Sequence, residues 1–120
     1  MTIRKVMVVD EDDETRVQCL DILVENGFEV AEAATGDDAI LVYDDFQPDL
    51  VFMDMTTPDS ESLLALQELI EMDPEAKVAV AMVLGQNSSV KLAIKMGAVD
   101  FLLKPLSQEQ VMRTVYRTWG

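Results

Sequence analysis

Lys5-Val6-Met7-Val8-Val9-Asp10-Glu11-Asp12 decides the fold. Four apolar residues run unbroken from Lys5 to the acids Asp10, Glu11 and Asp12. A half-buried strand would alternate; a continuous short apolar run suits a strand covered on both faces of a parallel sheet. Two more runs have the same form. Asp49-Leu50-Val51-Phe52-Met53 ends at Asp54, and Val99-Asp100-Phe101-Leu102-Leu103 ends at Lys104. As neighbouring parallel strands, the three would bring carboxylates and one ammonium to a single edge. Open α/β sheets place their sites there. Clustered carboxylates repel one another and call for a hard cation such as Mg²⁺.

Between these runs the pattern alternates strand with helix. Val17, Leu20, Leu23 and Val24 predict one helix face, with Gly27 as its stop. Phe28–Ala33 reads as the second strand. Thr35 is placed to cap a second helix whose first turn carries Asp37 and Asp38 and whose inner residues are Ala39, Ile40 and Tyr43. After Asp54 comes a polar turn containing Pro58. Leu63, Leu66, Leu69 and Ile70 then mark a third helix, ended by Pro74. Lys77–Val83 is a fourth strand and 85–89 a loop. Val90, Ala93, Ile94 and Gly97 give a short helix and its stop. Pro105 breaks the last strand, and Ser107-Gln108-Glu109-Gln110 fits a capping box for a helix lined by Val111, Val115 and Tyr116. The expected architecture is α/β, a doubly wound (βα)₅ chain with a five-stranded parallel sheet in the order 2-1-3-4-5. That order sets the first strand beside the third, so Asp10 and Glu11 approach Asp54.

Composition narrows the function. The 120 residues suit one domain, 1–120, and 49% hydrophobic content argues against a disordered chain. A net charge of −14 repels nucleic acid and anionic lipid, so direct binding to either is not expected. No apolar run approaches the roughly 20 residues a membrane span needs, and the N-terminus lacks a signal pattern, so a cytoplasmic location is expected. The single Cys19 lies in an apolar helical pattern, where core packing is its expected role. There is no His, which removes histidine acid–base chemistry and histidine metal ligands from this chain.

Val8-Val9-Asp10-Glu11-Asp12, Pro48 through Asp54, Pro58, Gly97-Ala98 and Phe101-Leu102-Leu103-Lys104-Pro105 together resemble the receiver domain of two-component response regulators, over essentially the whole chain. The spacings fit as well: Asp10 to Asp54 is 44 positions and Asp54 to Lys104 is 50. The resemblance implies a flavodoxin-like fold and a phosphorelay role. Asp54 would be the phospho-acceptor, and Asp10, Glu11 and Asp54 with the backbone carbonyl of Thr56 would hold Mg²⁺. Lys104 would pair with the phosphoryl group, beside a cis Lys104–Pro105 bond. The donor would be a phosphohistidine on a histidine kinase or phosphotransfer protein. A downstream effector domain or protein would read the fourth helix, fifth strand and fifth helix, a face that also suits a homodimer. Such a domain is no enzyme beyond its own phosphorylation and dephosphorylation.

The sequence also departs from that pattern. Met82 stands 22 residues before Lys104, where the family has Ser or Thr, and a thioether cannot donate a hydrogen bond. Its expected partner in the switch is Phe101, so coupling between them is predicted to weaken. Glu11 replaces the usual Asp, one methylene longer, and Glu61-Ser62 replaces Asp-Gly. These departures motivate an alternative, a degenerate receiver that binds partners without phosphorylation. A hydrolase of the haloacid-dehalogenase type also uses a strand-end Asp, but it needs a second Asp at the position of Thr56. A flavodoxin needs a phosphate-cradling loop where this chain has acids.

Overall fold

The computed structural model describes residues 3–55, 61–85 and 87–119. Five strands alternate with five helices: β1 Lys5–Val9, α1 Asp13–Glu25, β2 Glu29–Ala33, α2 Gly36–Phe46, β3 Leu50–Asp54, α3 Glu61–Met72, β4 Val78–Met82, α4 Asn87–Met96, β5 Asp100–Leu103 and α5 Gln108–Trp119. The strands are parallel in the order β2-β1-β3-β4-β5. The expected fold and order are therefore those observed.

The unbroken apolar runs are explained by two core layers. Met7, Val9, Val51, Met53, Val80 and Met82 point to the side covered by α2, α3 and α4. Val6, Val8, Leu50, Phe52 and Ala79 point to the side of α1 and α5, where they meet Cys19, Leu23, Val111 and Val115. Alternate residues face opposite ways, so both must be apolar. Each layer removes large side chains such as Phe52 and Leu66 from water, at about 1.5–3 kcal/mol apiece.

Local signals act largely as read. The Thr35 hydroxyl accepts from the Asp38 amide at 3.1 Å and caps α2. Gly27 and Gly97 end α1 and α4 with φ of 89° and 117°, a region where a side chain would be strained.

Several details differ. α4 begins at Asn87, inside the stretch read as loop. Val17 and Val24 are exposed while Cys19, Leu20 and Leu23 are buried, so the inward face of α1 is rotated from the predicted one. Tyr116 is exposed too; Val111 and Val115 complete the buried stripe four residues apart. The capping box at α5 is half made. Ser107 Oγ accepts from the Gln110 amide at 3.2 Å, but the Gln110 side chain turns away to Leu103 N and Pro105 O.

Candidate phosphoryl-acceptor site

Register brings the acids together. β1 and β3 align Val9 with Met53, which leaves Asp10 beside Asp54 at the next step. β3 and β4 align Asp54 with Ala81, and β4 and β5 align Met82 with Leu103, so Lys104 follows at the same edge. Three strand ends thus converge, as parallel strands of matched length must.

Asp10 is 4% exposed, and every polar atom it carries is engaged. Its amide donates to Ala33 O on β2 at 3.1 Å. One carboxylate oxygen accepts from the Asp12 amide at 2.9 Å, the other from Lys104 Nζ at 2.8 Å. Its backbone carbonyl accepts from Arg16 Nη1 at 2.7 Å. Asp12 serves a different purpose. It is the N-cap of α1, accepting from the amide and hydroxyl of Thr15, and those bonds hold its carboxyl below the usual range. Glu11 is exposed between them.

Asp54 closes β3 and is 7% exposed; its Oδ1 accepts from Lys104 Nζ at 2.8 Å. Lys104 is anchored at both ends. Its amide donates to Met82 O at 2.7 Å, its ammonium bridges the two acids, and its bond to Pro105 is cis. Burial alone would pull the lysine pKa down, yet the bonds from Asp10 and Asp54 outweigh it and the net shift is upward. Burial pushes the Asp10 carboxyl up, against the pull of Lys104, and the charge on Asp54 adds to the rise. Two buried carboxylates therefore share the Lys104 ammonium.

A small cavity of about 50 Å³ opens beside these groups, lined by Asp10, Glu11, Thr35, Asp54, Glu61 and Ser62 among others. It has room for more than one water, since one needs roughly 10–15 Å³. Among the described residues no three His, Cys, Asp or Glu groups are gathered closely enough to hold a metal unaided. Mg²⁺ does not require that: it keeps several waters and uses one or two carboxylates. The all-oxygen donors suit it. The carbonyl of Thr56 lies outside the described residues, as does Pro58.

Across β4 and β5 the edge is apolar. Met82 is 3% exposed and packs in the layer under α2, α3 and α4. Phe101 is 50% exposed on the outer strand. Sequence reading passed over Arg16. Arg16 follows the acidic run Asp10–Glu14 by two residues, but its partner Glu32 is distant in sequence and its third acceptor is a backbone carbonyl.

Comparison with known proteins agrees with this geometry. A model of the response regulator receiver domain matches residues 6–116. The chain is 39% identical over 115 residues to chemotaxis protein CheY of Bacillus subtilis strain 168, covering 95% of this chain and 96% of that one. Among solved structures, the receiver domain of NtrX from Brucella abortus superposes with a TM-score of 0.88 at 29% identity, covering 94% of this chain and 96% of that one. A chain of the CheX–CheY–BeF3–Mg²⁺ complex from Borrelia burgdorferi gives a TM-score of 0.87 at 30% identity, covering 95% and 87%. Sheet order, strand-edge acids and near full-length likeness to CheY converge: the chain belongs to the response regulator receiver family and is a receiver of two-component phosphorelay signalling.

Proposed function

We propose that Asp54 accepts the phosphoryl group, from a phosphohistidine of a histidine kinase or phosphotransfer protein. An Asp54 carboxylate oxygen forms the new O–P bond as the P–N bond to the donor imidazole breaks. Asp10, Glu11 and Asp54, with the Thr56 carbonyl, would hold Mg²⁺, which neutralises charge on the incoming phosphate. Lys104 supplies the second positive charge and orients the acceptor before the donor arrives. The observation that carries this reading is the Lys104 ammonium, 2.8 Å from both Asp10 and Asp54.

The outcome would be read at the face made by α4, β5 and α5. Ile94, Val99, Phe101 and Leu103 are exposed there. Lys91, Lys95, Arg113 and Arg117 on α4 and α5 outnumber the two acids of the same three elements, Asp100 and Glu109, on a chain otherwise strongly acidic. An effector or a second receiver presenting apolar and acidic groups would fit, in the cytoplasm where the donor works. Likeness to CheY over almost the whole chain does not favour the phosphorylation-independent module.

Intact mass after incubation with Mg²⁺ and acetyl phosphate tests the proposal. One phosphoryl adduct is expected in the wild type and none in Asp54→Ala or in excess chelator. An adduct that survives Asp54→Ala would overturn it.

A further inference from the structure

We infer that Arg16 is a positioning residue for the divalent-cation site, fixing the Asp10–Glu11 peptide from outside the cluster of reacting groups. The inference rests on the Mg²⁺ reading above.

Arg16 sits in the first turns of α1 with its side chain only 11% exposed. Three donors of its guanidinium are used in three directions. Nη2 meets Asp13 Oδ1 at 2.6 Å, Nε meets Glu32 Oε1 on β2 at 2.9 Å, and Nη1 donates to the Asp10 carbonyl at 2.7 Å. That carbonyl belongs to the planar peptide joining Asp10 to Glu11. Holding its oxygen sets the direction in which the Glu11 backbone leaves, and with it the origin of the longer Glu11 side chain. The other restraints on Asp10 come from the backbone and from Lys104, which is itself part of the site. Arg16 is the one side chain bonded to Asp10, among the described residues, that has no place in the phosphoryl chemistry. Its anchors on α1 and β2 tie the loop to the scaffold on both sides. Supports one step removed from a metal ligand typically govern about 10–100-fold in affinity.

A positioning role and a purely electrostatic one predict opposite signs. Arg16 is a cation near a cation site, so removing its charge should tighten Mg²⁺ binding if charge were all that mattered. If it positions the peptide, removal weakens binding.

The test is Mg²⁺ affinity by calorimetry on the full chain, for the wild type, Arg16→Gln and Arg16→Lys, with thermal melts for each. Arg16→Gln is expected to bind Mg²⁺ about 10-fold more weakly. Arg16→Lys keeps the charge but loses the three-way fork, and should fall about 3-fold, a partial rescue. Affinity equal to or tighter than wild type in Arg16→Gln overturns the inference. If Arg16→Gln does not fold, Arg16→Lys decides: undiminished affinity overturns it, a loss at an unchanged melting temperature supports it. Absence of Mg²⁺ binding in the wild type would instead sink the underlying metal reading, and so is distinguishable.

Discussion

The two halves of one sheet edge are built from opposite materials. At the ends of β1 and β3, charges are buried, paired and bonded at almost every polar atom. Towards the ends of β4 and β5, along the same edge, Met82 fills core, and Phe101, two residues before the end of β5, lies half in solvent. Lys104 touches both halves, its ammonium on the acids and its amide on the Met82 carbonyl. The contrast teaches that accepting a charge and reporting it are separate tasks. The first needs polar groups held in place beforehand. The second needs an element with two arrangements of similar energy, and a buried thioether beside an outward aromatic supplies no polar link to bias them.

The largest effect should come from breaking the polar half. Lys104→Ala leaves two buried carboxylates facing each other, and loss of one partner of such a cluster costs about 3 kcal/mol. Denaturant melts in chelator should show that loss. Added Mg²⁺ should restore more stability to the variant than to the wild type, because the site then carries one more negative charge. Equal Mg²⁺ responses would mean that the ammonium and the cation do not share these acids.

Next comes an attempt to make the apolar half polar. Met82→Thr restores a hydroxyl at the strand end but removes buried volume, at about 1–3 kcal/mol. Beryllofluoride with Mg²⁺ should then shift the Phe101 amide resonance more in Met82→Thr than in the wild type. No difference would show that the hydroxyl alone does not join the two halves.

Much of the polar half was legible in the sequence because strand ends carry it. Asp10, Asp54 and Lys104 each follow an apolar run, and sheet order then fixes their meeting. Helix faces were less legible. In α1 the pattern Val17, Leu20, Leu23 and Val24 suggested one stripe, whereas packing chose Cys19 with Leu20 and Leu23. Several stripes of similar hydropathy fit on a short helix, and tertiary contacts select among them. The start of α4 was obscured by Asn87, Ser88 and Ser89, residue types at home in both loops and first turns. Arg16 was hidden for another reason. Its role depends on a carbonyl, and backbone acceptors leave no mark in a sequence.

Phe101→Ala should cost no more than about 1 kcal/mol of stability, since half of the aromatic side chain already lies in solvent on the outer strand. Its effect should appear instead in partner binding at the α4–β5–α5 face, as a loss whether or not Asp54 is phosphorylated. A loss confined to the phosphorylated form would show that the two halves are coupled after all, through a route other than a hydroxyl at position 82.

The smallest signal reports on how firmly the polar half is closed. Cys19 lies fully buried in the core layer beneath α1, and burial, aided by the nearby Asp10 charge, pushes its thiol pKa up to about 12. A folded-state pKa above the free value means that ionisation opposes the fold only as the pH climbs towards it, so at neutral pH the group is a quiet thiol. Its labelling by a thiol reagent should therefore be limited by opening of the fold. Mg²⁺, by holding Asp10 and Asp54 together, should slow that labelling further. Rapid labelling insensitive to Mg²⁺ would mean that α1 moves independently of the acids that precede it, and the division of this edge into a fixed half and a free half would fail at its fixed side.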